Sequence, residues 1–83
     1  MKNSHVNVTV DLKYYGMDKT YDLRIPKQIT VKQLLIDIFD VLNIQTGHIT
    51  PTTMKVATKG LVLADDDLLM DYPVTDGDLL AIL

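Results

Sequence analysis

Eighty-three residues, 47% of them hydrophobic and 23% charged, suit one compact globular domain and exclude a disordered chain. The absence of cysteine excludes disulfides, thiolate metal sites, iron–sulfur clusters and thiol catalysis. The net charge is −3 and no two of the eight basic residues are adjacent. That argues against nucleic acid or anionic lipid as a ligand, since such binding needs a basic face.

The opening "MKNSHVNVTV" has no long apolar segment of the secretory kind, and residues 1–4 read as frayed at the start of one domain spanning 1–83. Val6, Val8, Val10 and Leu12 alternate with Asn7, Thr9 and Asp11, which predicts a strand with one buried face. "KYYGMDK" follows as a loop turning at Gly16. In "TYDLRIP" Tyr21, Leu23 and Ile25 then alternate with Thr20, Asp22 and Arg24, completing a hairpin that Pro26 ends. At Thr30, a predicted N-cap, the period changes. Val31, Leu34, Leu35, Ile38 and Leu42 recur at helical spacing over about 13 residues. Ile36 falls among the polar residues of this helix and Phe39 at the edge of the apolar stripe. Gly47, Thr50 and Pro51 are the expected stop. The apolar core of this helix, "LLIDIFDVLNI", is interrupted by Asp37 and Asp40 and falls well short of the roughly 20 residues that span a bilayer. The chain therefore reads as soluble and cytoplasmic.

"TTMKVAT" predicts a third strand, with Met54 and Val56 on one face and Lys55 and Ala57 on the other. Lys59-Gly60 is a turn and "LVL" a short fourth strand. "ADDDLLMDYPV" reads as an irregular crossover anchored by Leu69. Asp76-Gly77 then turns the chain into "DLLAIL", with Leu80 and Ile82 inward and Ala81 and Leu83 outward. The expected fold class is α+β, a mixed sheet of four to five strands with one amphipathic helix on one face and water on the other.

The order of elements resembles the ubiquitin-like β-grasp fold, and "KVATKGLVLADDDLLMDYPVTDGDLLAIL" is similar to the matching part of ubiquitin. Leu63, Leu69, Tyr72 and Val74 stand at ubiquitin-like spacing, and the interval from Gly60 to Tyr72 matches without a gap. The resemblance implies structural roles for Leu63, Leu69, Tyr72, Leu80 and Ile82, with the Tyr72 ring packed in the crossover and bonded to backbone near Ala64. "VTVDLKYY", "TYDLRIP", "MKVATKG" and "DYPVTDGDLLAIL" together resemble the YukD/EsaB family, from about His5 to Leu83. These are small ubiquitin-like proteins associated with type VII secretion systems of Gram-positive bacteria.

No catalytic, cofactor or metal motif is legible. Ser4 is the sole serine, and it and the two histidines, His5 and His48, read as surface polar groups rather than parts of a hydrolytic triad or a metal site. Asp65-Asp66-Asp67 lacks the alternating ligands, central glycine and distal glutamate of a calcium loop and reads as solvated. Gly60 and Gly77 are turn glycines, not a phosphate cradle. Ubiquitin-like modifiers use a flexible tail ending in Gly-Gly, whereas this sequence reaches Leu83 inside the expected last strand, so neither conjugation nor sulfur carriage is expected.

Contact surfaces are the remaining candidates. Ala57, Ala81 and Leu83 are the apolar outward positions of the sheet and should neighbour one another if the last strand pairs with the third. Ile36 and Phe39 mark the outer helix face, and Tyr14 and Tyr15 the first loop, where at least one tyrosine is expected to cap the core. The expected function is that of a non-conjugated accessory or regulatory protein of a type VII secretion system, binding a protein partner without chemistry. The resemblance suggests cytoplasmic parts of a secretion ATPase or a pseudokinase-like membrane subunit as that partner. Alternatives are a self-associating scaffold, a modifier with a further C-terminal extension, and a nucleic-acid-binding regulator.

Overall fold

A computed structural model describes residues 4–44 and 53–83. Five strands form one sheet in the order β2-β1-β5-β3-β4. β1 (His5–Asp11) and β2 (Thr20–Pro26) are the antiparallel hairpin, joined through a 3-10 turn at Lys13–Tyr15 that Gly16 ends. β3 (Thr53–Val56) and β4 (Leu61–Ala64) form a second antiparallel pair. β5 (Leu79–Ile82) lies between the hairpins, parallel to β1 and antiparallel to β3. This is the mixed-sheet α+β arrangement that the alternation implies.

The helix α1 (Val31–Val41) covers one face of the sheet. Its first-turn N–H groups all find acceptors, as a buried helix end requires. The Thr30 hydroxyl accepts from Gln33 N–H and the Thr30 carbonyl from Leu34 N–H. The crossover supplies the other two acceptors, because Val31 N–H bonds the Asp67 carbonyl and Lys32 N–H bonds the Asp65 carbonyl. The acidic run therefore docks through its backbone against the start of the helix.

α1 ends earlier than its apolar periodicity suggests. Asn43 takes a left-handed conformation (φ 54°) and its N–H bonds the Asp40 carbonyl, while Ile44 N–H bonds the Phe39 carbonyl. These two bonds make a Schellman cap, and Ile44 packs on the core as the apolar member of that motif. Asparagine is the stop signal, since its short polar side chain tolerates the left-handed region. Gly47, Thr50 and Pro51 lie outside the described residues, as does His48.

Buried side chains come from every strand, from α1 and from the crossover. Val6, Val8, Val10 and Leu12 line β1 and its exit, and Leu34, Leu35 and Ile38 face them from α1. Leu63, Leu69, Leu80 and Ile82, expected in the core, are each at most 1% exposed. Leu69 opens a second 3-10 turn (Leu69–Asp71) and closes the end of the core beneath the crossover.

Candidate interaction surfaces

The open sheet face is built by alternation. Where one residue of a strand points at α1, its neighbours point to water. The pairings place Thr20, Asp11, Ala81, Lys55 and Val62 in one transverse row. A second row runs from Asp22 through Thr9 to Leu79, whose carbonyl accepts from Ala57 N–H at 2.8 Å. Leu83 extends β5 beyond Ala81, its N–H bonding the Thr53 carbonyl.

Three of the outward apolar residues read from the sequence thus lie along the β3–β5 seam, with two corrections. Ala57 is not in a strand. β3 stops at Val56, because residues 57–60 turn with Gly60 at φ +66° and Lys59 N–H bonding the Val56 carbonyl. Ala57 is also not opposite Ala81, since Lys55 occupies that position, whereas Leu83 follows Ala81 on the same face. Ala57 sits beside Leu79 instead. Two members of this face were missed: Leu79, half-buried, and Val62, 60% exposed. Outward alternation from Ala81 reaches Leu79, and Val62 is outward as the cross-strand partner of Lys55. The result is an apolar strip of Leu79, Ala57, Ala81 and Val62, interrupted by Lys55 between Ala81 and Val62 and bordered by Asp11, Thr9 and Asp22.

On the helix, Ile36 is 48% exposed and sits between Lys32, Gln33 and Asp40. Phe39 is not part of that surface. It is 8% exposed and buried in the core, because the Tyr15 ring from the first loop stacks edge-on against it, centroids 5.0 Å apart at 83°. Tyr15 is consequently the core-capping tyrosine. Its hydroxyl donates to the Leu83 carbonyl, and burial raises its pKa above the ordinary phenol value. Tyr14, by contrast, is 77% exposed. The first loop therefore divides its aromatic pair, one ring inward and one outward.

The Tyr72 ring packs against the core as the resemblance implies, but its hydroxyl faces Asp67 rather than backbone. Hydrogen bonding to the Asp67 carboxylate, with some burial and the charges of Asp67, Asp71 and Asp66, raises the Tyr72 pKa. Asp67 itself accepts Ala64 N–H at 2.9 Å, so it links Tyr72 to Ala64 indirectly.

A polar hub, unread in the sequence, holds the turn into β5. Asp78 is 5% exposed. Its carboxylate accepts from the Thr58 hydroxyl (2.7 Å), the Lys59 ammonium (2.7 Å) and Thr75 N–H (2.9 Å). Burial alone would raise this carboxyl. The hydrogen bonds from Lys59, Thr75 and Thr58, together with the Lys59 charge, outweigh burial and hold the pKa down to about 2. Lys59 also bonds the Thr75 hydroxyl and the Pro73 carbonyl. The hub acts as a structural clamp, and no buried side-chain nitrogen or oxygen among the described residues is left without a hydrogen-bond partner. Ser4 and His5 touch (2.8 Å) but are both exposed, at the start of β1.

Among the described residues no helix is long and apolar enough to cross a membrane. The family described as "WXG100 protein secretion system (Wss), protein YukD" matches residues 5–82. The type VII secretion system accessory factor EsaB of Staphylococcus aureus (strain Newman) is 41% identical over 81 residues, covering 98% of this chain and 99% of that protein. Among solved structures, the ubiquitin-like domain of Arabidopsis thaliana protein At2g32350 superposes with a TM-score of 0.70 at 22% identity, over 98% of this chain and 78% of that one. A chain of the MycP5-free ESX-5 inner membrane complex (state II) gives 0.67 at 19% identity, over 98% of this chain and 21% of that one. The fold is the ubiquitin-like β-grasp, and the chain belongs to the YukD family of WXG100, or type VII, secretion systems.

Proposed function

We propose that this protein is an accessory or regulatory component of a type VII secretion system that works in the cytoplasm by reversible, non-covalent docking. The observation that carries this reading is the open sheet face, where an apolar strip of Leu79, Ala57, Ala81 and Val62 has a polar border. A preformed strip of this kind suits a contact whose energy is concentrated in a few central residues. Near-full-length similarity to an accessory factor supports the secretion role. A domain of this shape within one chain of an ESX-5 inner membrane complex supports a partner in the membrane machinery. Cytoplasmic parts of the secretion ATPase or of a pseudokinase-like membrane subunit are the proposed partners.

The test is a titration of the full chain against those isolated cytoplasmic domains, with Ala81→Arg as the probe. Ala81 is outward and half-buried beside Leu79 in the strip, so a long cation there should weaken binding about tenfold or more. The thermal melt should stay close to that of the parent. Equal binding by both proteins would remove the strip from the reading. In cells, deletion should reduce export of small WXG-type substrates, and unchanged export would refute the secretion role. A ladder of covalent adducts in lysate would refute the non-covalent one.

A further inference from the structure

β2 is an edge strand, so its outer side has no partner within the sheet. Which of its backbone groups point outward follows from β1. Asn7 N–H donates to the Asp76 carboxylate and the Asn7 carbonyl accepts from Gly77, while Thr9 N–H donates to the Asp78 carbonyl. Both residues therefore turn their backbone polar groups towards β5. Their partners across the antiparallel ladder, Arg24 and Asp22, turn theirs to the open edge. The Asp22 and Arg24 side chains are exposed, and Leu23 between them is half-buried against the core on the helix side. Leu23 also lines a shallow groove between β2 and α1 that includes Val41, 72% exposed.

The strand is self-complementary about Leu23. Antiparallel pairing with a second copy, Leu23 opposite Leu23, sets Asp22 opposite Arg24 and Arg24 opposite Asp22. Each of these pairs can exchange two backbone hydrogen bonds through the outward groups. Thr20 N–H then meets the Pro26 carbonyl, and because proline has no N–H to return, this end pair makes one bond rather than two. The adjacent registers using the same outward groups are disfavoured by charge at their centres. One centred on Asp22 opposes two aspartates, and one centred on Arg24 opposes two arginines. Among the described residues Arg24 has no ion-pair partner, Lys59–Asp78 being the pair found there. Asp22 has one oxygen occupied by the Thr9 hydroxyl at 2.8 Å and the other without a partner among the described residues.

We infer that two copies associate edge to edge through β2, as a two-fold dimer whose two five-stranded sheets become continuous. The Leu23 pair is of the non-hydrogen-bonded kind, where side chains approach most closely, and Val41 adds apolar surface alongside. Lys19 and Lys27 of opposite copies face each other at the two ends, which keeps the contact weak and reversible. Both open faces lie on the same side of the joined sheet, so the dimer presents two docking strips together. The pairing stands whether or not the strips engage secretion machinery.

Sedimentation velocity on the full chain, from about 10 μM to about 1 mM at low salt, tests it, because a small edge contact is expected to dissociate in that range. A monomer–dimer equilibrium is expected. Arg24→Asp and Asp22→Arg each place like charges opposite one another and should weaken association about tenfold or more. Mixing the two variants in equal amounts restores both ion pairs in a heterodimer and should recover parent-like association. Matching thermal melts show that each variant is folded. A chain that stays monomeric throughout overturns the inference, including one whose edge accepts only another protein's strand. A dimer indifferent to Arg24→Asp, or a mixture that fails to recover association, overturns it equally.

Discussion

Replacing Asp78 by asparagine isolates the contribution of one buried carboxylate. Asn keeps the size of the side chain but loses the charge that Lys59 faces, and it sets an amide donor where one oxygen now accepts from two groups. In the folded chain this carboxyl lies at about 2, against 3.8 for an ordinary aspartate. A pKa lowered that far on folding contributes about 2 kcal/mol of stability at neutral pH. The folded value is the lower one, so the contribution is complete above about pH 5 and is lost as pH falls through 4 towards 2. Asp78→Asn should therefore cost about 2 kcal/mol at pH 7 and lower Tm by about 10 °C in a domain of this size. At pH 2.5 the gap between parent and variant should shrink to about a third. Urea melts of both proteins at the two pH values measure this directly, and the pairwise difference cancels the titration of other carboxylates. A gap below about 0.5 kcal/mol at pH 7, or an equal gap at both pH values, would refute the clamp.

Two further substitutions test the packing and the cap. Leu69→Ala removes a side chain 1% exposed that closes the core under the crossover, and should cost about 3 kcal/mol in a denaturant melt. A loss under about 1 kcal/mol would mean that the crossover collapses to fill the space. Thr30→Ala deletes the hydroxyl that accepts Gln33 N–H and should cost about 1 kcal/mol, whereas Thr30→Ser should recover most of it. Equal losses in both would show that the methyl group, not the cap, matters.

The fold was legible because its two periods are clean. Alternating valines in β1 and the Leu34–Leu35–Ile38 stripe in α1 each admit one buried face, and burial of apolar area chooses it. Asn43 shows where that legibility stopped. The apolar pattern ran on to Leu42, but a Schellman cap ended the helix, and asparagine is an ambiguous signal in sequence because it serves caps, turns and exposed helix faces alike. The interaction surface was half legible. Alternation set Ala81 and Leu83 outward, yet the neighbours of an outward residue depend on which strands pair and in what register.

The sequence by itself determined the element order, the buried face of each strand and the family, since all three are carried by local spacing and residue type. Tertiary structure alone decided the rest. Phe39 is core because Tyr15, 24 positions away in the chain, lies against it. Asp78 looks like a solvent-facing turn residue until Thr58 and Lys59, 20 and 19 positions earlier, bring their donors to it. Lys55 interrupts the apolar strip because β3 pairs with β5 in one register and no other. The edge character of β2 follows from β5 entering between the hairpins, a long-range choice that no short window of residues contains.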